Sequence, residues 1–379
     1  MNLLFDLKAT QPNVSGKRHG GGRYGEIIFF RMIDRQIKFS CFYDSMLWLN
    51  PEVEKLCTRH NIPLYDLQKE GIEDIIINHN IDRLYSCLPV NRLAKLKCCE
   101  IYGTVHGLRG LETPLDNIFY KYKSSIKEKV KFTIKKLFAR RFYYIKHNDY
   151  LNTYINSQFH LITVSEHSKY AFLSFFPELL NKELPVFYSP NTSSKEKREK
   201  THTNDKYFLL VSGNRWEKNN LRAIMAFDRL ADYNCMKDIR MKVTGTKGNS
   251  FRYKIKHPDR FDFLGYVGDA ELECLYANAF LFVYPSLNEG FGYPPLEAMR
   301  YKIPVIASPL SAIAEICGGG VLYFNPFSVE EIMNRMLMMV TNKKIYSDLV
   351  QKGYEQYIKI SERQMKDLDL LINYICQES

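Results

Sequence analysis

Three features that would assign this chain to a familiar class are missing from its sequence. The nine cysteines are scattered over 379 residues, and no two have the Cys-x2-Cys spacing of a zinc or redox site. An odd, unpatterned set indicates buried thiols in a reducing compartment rather than a disulfide framework. The first residues, MNLLFD, lack the basic and long apolar regions of a signal peptide, and no apolar run reaches the ~20 residues of a membrane span. We therefore expect a cytoplasmic protein.

Acidic residues are almost absent from one segment, residues 121–146. It holds ten Lys/Arg and one acid, Glu128, so ten minus one leaves +9 of the chain's formal net charge of +11. Residues 118–146 also interleave these cations with eight aromatic side chains. Such a segment can attract nucleic acid, form a solvated helix face without a partner, or lie on an anionic membrane surface. No recognised nucleic-acid-binding fold surrounds it, which argues against a nucleic-acid partner.

The rest of the composition predicts two domains of the α/β class. The chain is long enough for two cores, and its 45% of hydrophobic residues argues against disorder. Short apolar runs alternate with helical stretches, which is typical of βα repeats. In the first half these runs lie at residues 2–6, 37–43, 75–77, 83–88, 99–105 and 160–164. We interpret the charged, polar residues 192–206 as a linker between domains 1–191 and 207–359, followed by a final helix at 360–379.

Glycines near the N-terminus raise a first functional alternative. Gly20, Gly22 and Gly25 satisfy the G-x-G-x-x-G spacing of a dinucleotide-binding turn, just before a helix predicted at residues 24–34. That turn requires the glycines directly after the first strand, whereas the polar residues 9–19 intervene. A dinucleotide site is therefore disfavoured.

The most informative stretch is residues 279–300, which reads AFLFVYPSLNEGFGYPPLEAMR. Its apolar start predicts a buried parallel strand, and the two prolines fit the opening of a helix. Gly290 and Gly292 lie in the turn between, so the helix N-terminus behind them can bind an anion. Glu289 and Glu297 would repel a bare phosphate but can accept hydrogen bonds from the hydroxyls of a nucleoside diphosphate sugar. The alternative is a surface loop with a glutamate at a helix start.

This stretch resembles the Glu-x7-Glu signature of retaining GT-B glycosyltransferases of the GT4 type, with Glu289 and Glu297 at the acidic positions. The segments IPVIASP (303–309) and VLYFNP (321–326) also resemble the family, and the likeness is specific over residues 206–340. The resemblance implies an α/β, GT-B fold. Two Rossmann-like domains would face each other across a cleft, and the C-terminal helix would cross back to the first.

The resemblance also implies which residues of the second domain meet the donor. The family places an Arg and a Lys for the diphosphate in the turn that here carries Arg215 and Lys218, although their spacing is narrower. Residues 290–292, which are Gly290, Phe291 and Gly292, would present the helix N-terminus to the donor. Glu289 would orient sugar hydroxyls near the reacting carbon, and Glu297 would hold the ribose. Without a ligand, the two cations are simply charges of an exposed turn.

In the first domain, the resemblance implies roles for Gly21, Gly22 and His106. Glycine loops of GT-B enzymes face the donor phosphates and acceptor, and a histidine past a strand end often reaches the donor sugar. His106 follows a predicted strand, but Gly107 replaces the acid that is typical after that histidine. A lone histidine is often structural, so a packing role for His106 is the alternative.

Together these roles imply a retaining hexosyltransferase that uses GDP-mannose or a UDP-sugar and a lipid-linked glycan acceptor of cell-surface polysaccharide. We expect no cofactor and no metal, because cationic side chains neutralise the diphosphate and the one Asp-x-Asp, at Asp367 and Asp369, lies in a predicted helix. A lipid-linked acceptor favours the membrane interpretation of residues 118–146, and therefore a cytoplasmic enzyme peripheral at the inner face of the cell membrane. The alternatives are a nucleotide-sugar epimerase of the same fold and a non-catalytic basic protein that binds membrane or nucleic acid.

Overall fold

Two six-stranded parallel sheets organise the chain, each in its own unit. The computed structural model describes residues 2–12, 20–155, 159–191, 205–247 and 251–377. Unit one lies within Met1–Leu108, Tyr144–Thr192 and Ser361–Ser379, and unit two within Arg109–Tyr143 and Ser193–Ile360. Residues 192–204, most of the predicted linker, lie outside the described residues.

Both sheets have the same strand order. The strands of unit one are β1 (Leu3–Asp6), β2 (Ser40–Tyr43), β3 (Leu64–Asp66), β4 (Arg83–Ser86), β5 (Glu100–Val105) and β6 (Phe159–Thr163). Those of unit two are β7 (Lys206–Leu210), β8 (Ile239–Thr244), β9 (Phe261–Gly265), β10 (Leu281–Tyr284), β11 (Val305–Ala307) and β12 (Leu322–Tyr323). The orders are β3-β2-β1-β4-β5-β6 and β9-β8-β7-β10-β11-β12, and the pairings are parallel. This is the Rossmann order, with switch points between β1 and β4 and between β7 and β10.

Fifteen α-helices occur in the described part of the chain. They are α1 (Gly20–Asp34), α2 (Pro51–Arg59), α3 (Ile72–Asn78), α4 (Asn91–Ala94), α5 (Arg109–Glu112), α6 (Phe119–Tyr122), α7 (Ile126–Leu137), α8 (Ala139–Tyr154), α9 (Glu166–Phe175), α10 (Asn220–Leu230), α11 (Asp269–Asn278), α12 (Tyr293–Arg300), α13 (Ala312–Cys317), α14 (Val329–Thr341) and α15 (Lys343–Cys376). None of these helices combines the length and the hydropathy that crossing a membrane requires.

The prediction of a strand at residues 75–77 is wrong, because these isoleucines belong to α3. Ile72, Ile75 and Ile76 are buried at helical spacing, whereas Ile77 is exposed. A run of three apolar residues fits a buried strand as well as a helix face, so periodicity could not decide. The strand that the sequence analysis missed nearby is β3, which pairs with β2.

Residues 109–143 belong to unit two, whereas the sequence analysis placed them in the first domain. The rings of Phe132 and Phe119 stack with centroids 4.0 Å apart, and Trp216 lies 5.7 Å from Phe119 and 6.0 Å from Phe132. The hydroxyl of Tyr122 accepts a hydrogen bond from the backbone N–H of Leu221 at 2.8 Å. These contacts join residues far apart in the chain. Contacts of this kind produce no local sequence pattern. The domain boundary predicted from the composition of residues 192–206 therefore did not include them.

The final helix is longer than predicted, because α15 runs for 34 residues from Lys343 and passes from unit two to unit one at residue 361. In unit one, Asp369 forms an ion pair with Arg31 at 2.8 Å. Asp367 accepts a hydrogen bond from the backbone N–H of Tyr188 at 2.8 Å. Both carboxylates of the Asp-x-Asp sequence therefore take part in the packing of unit one.

Replacing Phe132 with Ala should destabilise unit two, because this side chain is only 6% exposed and its loss leaves a cavity beside Trp216. Phe-to-Ala changes in cores typically cost about 3 kcal/mol or more. The measurement is urea unfolding followed by fluorescence in a Trp48→Phe background, which leaves Trp216 as the one tryptophan of the chain.

The matched control is Val130→Ala on the same helix, since Val130 is 52% exposed and should cost no more than about 0.5 kcal/mol. Equal unfolding free energies for the Phe132 and Val130 variants would contradict the packing of α7 on unit two.

Candidate active site

The candidate site lies at the carboxyl ends of β7 and β10, the neighbouring strands at the switch point of the second sheet. The chain leaves β7 through a turn that carries Arg215 and Lys218, and it leaves β10 through residues 285–292. Because the two strands are parallel, both turns emerge at the same edge of the sheet. Open α/β sheets bind their ligands at such an edge.

Lys218 and Glu289 form a buried ion pair between these two turns. The Nζ of Lys218 donates to Oε1 of Glu289 and, at 2.9 Å, to the hydroxyl of Tyr284. The hydroxyls of Tyr284 and Ser286 donate to the same Oε1 at 2.7 and 2.5 Å. One carboxylate oxygen thus receives three hydrogen bonds, and no group among the described residues donates to Oε2.

The electrostatics of the site favour ionised Glu289. Burial would raise the pKa of Glu289, but the charge of Lys218 and hydrogen bonds from Lys218, Ser286 and Tyr284 hold that pKa below its usual value. Burial lowers the pKa of Lys218; Glu289 opposes this, and the nearby charge of Arg215 adds to it. The pKa of Tyr284 is raised by burial and by the charge of Glu289, so its hydroxyl remains a donor.

The pair has hydrogen-bonding capacity left for a ligand. A lysine has three N–H donors, and Lys218 uses two of them on Tyr284 and Glu289. Its third N–H has no acceptor within the described ranges. Arg215 is half-buried, and its charge acts on both Lys218 and Tyr284. A phosphate can therefore bind the two cations while a hydroxyl binds Oε2 of Glu289.

Asn219 connects the two turns, a role that the sequence analysis missed. It is fully buried and has a left-handed backbone conformation with φ of 57°. Its side-chain amide donates to the carbonyls of Pro285 at 3.1 Å and Pro326 at 2.7 Å, and its Oδ1 accepts from Arg222 at 2.7 Å. The one local signal is the residue type, since asparagine adopts this conformation more readily than most residues.

The turn into α12 has the glycine and the prolines where they were expected. Gly292 has φ of +123°, a conformation that favours glycine. The two prolines at residues 294 and 295 carry no N–H, so among the four residues that open the helix only Gly292 and Tyr293 have a backbone N–H. This makes α12 a weaker anion site than the sequence suggested. Gly290 is half-buried and Phe291 is buried. Because the side chain of Phe291 is buried, any contact of this residue with a donor would be made by its backbone.

Glu297 lies on α12 and is half-buried. It forms a hydrogen bond with the hydroxyl of Tyr276, a buried residue of α11. Burial and the charge of Glu297 raise the pKa of Tyr276 well above its usual value. The sequence analysis missed Tyr276, because a tyrosine in the preceding helix has no motif spacing to Glu297. Across the described residues, no group of three His, Cys, Asp or Glu side chains is placed so that it could hold a metal ion.

The predicted residues of unit one lie at the carboxyl ends of β4 and β5. Gly21 and Gly22 are in the first turn of α1, not in a loop, because this helix begins at Gly20. A Cβ on Gly21 would approach the side chain of Leu88, which follows β4, to 2.4 Å, so a larger residue would displace it.

His106 directly follows β5 in the same unit. Its Nε2 lies 3.0 Å from the carbonyl oxygen of Cys87, and its ring packs edge-on against Tyr24 at 4.7 Å. Because a carbonyl only accepts, Nε2 carries the proton and Nδ1 is the acceptor of the neutral ring. The roles of His106, Gly21 and Gly22 toward a donor stay predictions.

Comparison with known protein families decides the class of the second unit. The sequence profile described as Glycosyl transferases group 1 matches residues 192–356, which include Lys218, Glu289 and Glu297. Residues 192–356 are a group 1 glycosyltransferase domain. The residues of the buried ion pair and the second acid of the Glu-x7-Glu spacing all lie within this group 1 domain.

Curated relatives of the chain carry mannosyltransferase names. The chain is 31% identical over 170 residues to the O-antigen chain mannosyltransferase RfbU of Salmonella typhimurium, covering 44% of this chain and 47% of that protein. It is 38% identical over 99 residues to the serotype-specific mannosyltransferase WbdA of Escherichia coli, covering 26% of this chain and 12% of that protein. The matched regions thus span less than half the length of either relative.

Solved structures match the chain over nearly its whole length. A glycosyltransferase of Rickettsia africae covers 100% of this chain and 99% of its own, with a TM-score of 0.66 at 15% identity. HepE of Anabaena in complex with UDP-glucose covers 98% of this chain and 100% of its own, with a TM-score of 0.63 at 15% identity. This likeness shows the fold, which is GT-B. Together with the group 1 domain and the named relatives, it confirms the predicted fold class and the resemblance to GT-B glycosyltransferases.

Removing one partner of the Lys218–Glu289 pair should destabilise unit two more than removing both. Lys218→Met or Glu289→Gln leaves one buried charge uncompensated, which typically costs about 3 kcal/mol or more, whereas the double variant buries neither charge. The measurement is a double-mutant cycle of urea unfolding free energies at neutral pH. A coupling energy near zero would contradict a direct interaction between the two side chains.

Proposed function

We propose that this protein is a retaining glycosyltransferase that moves mannose from a nucleoside diphosphate sugar to a glycan acceptor. One observation carries the proposal. At the carboxyl ends of β7 and β10, the buried Lys218 pairs with the buried Glu289, and among the described residues one N–H of the lysine and one oxygen of the carboxylate have no hydrogen-bond partner. A sugar joined to a diphosphate has the complementary groups, namely anionic oxygens next to hydroxyls.

The proposed reaction exchanges one bond at the anomeric carbon for another. The bond from that carbon to the β-phosphate oxygen breaks, and a bond to the acceptor's hydroxyl oxygen forms on the same face of the sugar. The proton of that hydroxyl passes to the departing diphosphate. Charge therefore grows on the diphosphate while the anomeric carbon acquires oxocarbenium character.

In this proposal, the protein lowers the barrier by electrostatics. Lys218 and Arg215 stabilise the charge on the departing diphosphate, with a smaller contribution from the two N–H groups at the start of α12. Oε2 of Glu289 accepts a hydrogen bond from a sugar hydroxyl and places negative charge near the oxocarbenium carbon. Glu297, which Tyr276 keeps in position through a hydrogen bond, accepts hydrogen bonds from the ribose hydroxyls. A buried site strengthens each of these interactions relative to water.

The relatives support mannose as the sugar, because both RfbU and WbdA are named mannosyltransferases. GDP-mannose is therefore the proposed donor. A UDP-sugar is the alternative, which the UDP-glucose complex of HepE supports. The name of RfbU, an O-antigen chain enzyme, supports a glycan of the cell surface as acceptor. We propose that this glycan is lipid-linked and that the enzyme is peripheral at the inner face of the cell membrane.

Lys218→Ala should lose affinity for the nucleoside diphosphate and for its sugar but retain affinity for the nucleoside, because the lost contact is to phosphate. The measurement is calorimetric titration, after a thermal-shift panel of GDP-, UDP- and ADP-sugars has identified the base. Loss of a charge-assisted contact predicts roughly tenfold or more weaker binding of the diphosphate.

The matched control is Lys237→Ala, an exposed lysine of the same unit that should bind all three ligands like the wild type. Equal losses for nucleoside and diphosphate in the Lys218 variant would count against the assignment, and an unresponsive wild type across the panel would sink the proposed function.

The two acids should fail in different ways when replaced. Glu297→Ala should raise the KM for the donor with a smaller effect on kcat, because the ribose contact exists equally in the ground and transition states. Glu289→Ala should lower kcat by roughly a hundredfold, because its carboxylate acts on charge that develops at the reacting carbon. Steady-state kinetics with the identified donor test this difference. If both variants turn over like the wild type, neither acid has the proposed role.

A further inference from the structure

Helix α7 exposes an apolar stripe. Ile126, Val130, Ile134 and Leu137 are four, four and three residues apart, which places them within roughly 80° of the helix circumference. All four are exposed, Ile126 to 76% and Leu137 to 75%. The opposite side of the helix buries Phe132 against unit two. The helix therefore has two apolar faces: the face with Phe132 packs on other described residues of unit two, and the face with the four aliphatic side chains is exposed.

Cations border this stripe. Residues 126–143 contain seven Lys/Arg and one acid, so seven minus one leaves a net charge of +6. The acid, Glu128, is paired with Lys123 at 2.8 Å. Lys127, Lys131 and Lys135 follow the stripe along one side of α7 at a spacing of four residues and form no ion pair with any described residue. The exposed surface of this segment is therefore apolar along its centre and cationic at its margin.

The stripe continues into a groove formed with the start of α8. The groove has a volume of about 380 Å³ and is lined by four apolar side chains and two lysines, namely Ile126, Val130, Ile134, Phe142, Lys127 and Lys131. Phe138 and Tyr143, between and beyond these residues, are also exposed. An apolar cleft whose lining includes two lysines matches a molecule with a hydrocarbon part beside an anionic head.

We propose that residues 126–143, the α7–α8 surface, dock on an anionic membrane. The stripe and Phe138 enter the boundary between headgroups and acyl chains, and Lys127, Lys131 and Lys135 bind lipid phosphates. Apolar burial and attraction to anionic lipid together hold such helices in the plane of a membrane interface. No spanning segment is needed for this arrangement.

The charge distribution selects this occupant over a second copy of the chain. Two copies that met through this surface would bring two +6 patches together around an apolar contact, and like charges at an interface oppose association. Nucleic acid would satisfy the cations but not the stripe. Only a partner that is both anionic and apolar satisfies both features.

This inference deepens the proposed function by assigning the membrane contact to a defined face of unit two. Its relevance to a lipid-linked acceptor rests on the proposed function. The test needs neither donor nor acceptor. A failed donor panel with intact vesicle binding would contradict the proposed sugar transfer and leave this inference standing. An active enzyme that does not bind vesicles would contradict this inference and the proposed peripheral location, and would leave the proposed sugar transfer standing.

The experiment is sedimentation of the full chain with vesicles of phosphatidylcholine, with and without phosphatidylglycerol. The wild type should bind only the anionic vesicles and release them at high salt, because surface attraction acts over about 8 Å at physiological ionic strength. Replacing Lys127, Lys131 and Lys135 with Gln should weaken binding roughly a hundredfold. Replacing Ile126, Val130 and Ile134 with Gln keeps every charge and should weaken binding about tenfold or more.

The matched control replaces Lys343, Lys344 and Lys352 with Gln, which removes the same charge from exposed sites of unit two outside this surface, and should bind like the wild type. The Trp216 unfolding transition verifies that each variant is folded. The proposal is overturned if the wild type does not sediment, or if either surface variant binds like the control. Binding that depends on the lysines but not on the stripe indicates a general polyanion surface, and a dimer abolished by the stripe variant indicates self-association; both outcomes also overturn it.

Discussion

The candidate site depends on the adjacency of β7 and β10. Lys218 and Glu289 are 71 residues apart in the chain, and nothing local holds them together. The Rossmann order places the first and fourth strands of the sheet side by side, so the turns that follow them share one edge. Asn219 then fixes the geometry, because it bonds the carbonyl of Pro285 in the other turn. The ion pair is thus a consequence of topology, refined by one buried amide.

A buried ion pair is seldom a source of stability, since removing two charges from water costs nearly what their attraction returns. The arrangement around Glu289 reflects this cost. Three donors converge on Oε1, which satisfies one oxygen completely, while Oε2 and one N–H of Lys218 lack protein partners among the described residues. A pair that served only packing would satisfy both oxygens. The incomplete network therefore fits a ligand-binding site whose charges and dipoles are already oriented before the ligand binds, which is the definition of electrostatic preorganisation.

The sequence predicted the parts of this site that a single turn specifies. The strand, the glycine with positive φ and the helix after it are local consequences of residues 279–300, and so are the positions of Glu289 and Glu297. Tyr276 and Asn219 could not be assigned, because their partners are distant in sequence. The loss of N–H donors at the two prolines was visible in the sequence, but only the position of the helix start shows that it affects the anion site.

The segment before β6 shows the other limit of sequence reasoning. The sequence analysis treated its basic and aromatic residues as one continuous surface, whereas α7 places Phe132 on its buried face and the lysines on its exposed side. Phe132 packs against Trp216. The exposed stripe is formed by aliphatic residues that the sequence analysis did not single out, among them Ile126, Val130 and Ile134. Composition cannot make this division, because it depends on which helix face meets unit two.

That division has a mechanistic consequence for the second unit. Trp216 is two residues from Lys218, in the same turn after β7, and its ring contacts Phe119 and Phe132 beneath the α7–α8 surface. The side chains that support the exposed stripe therefore also support the turn that carries Arg215 and Lys218, the cations proposed to bind the diphosphate. A rigid packing of α7 constrains both surfaces at once, since close-packed aromatic rings transmit displacement rather than absorb it. The surface proposed to meet a membrane and the turn proposed to bind the donor are therefore supported by the same aromatic cluster.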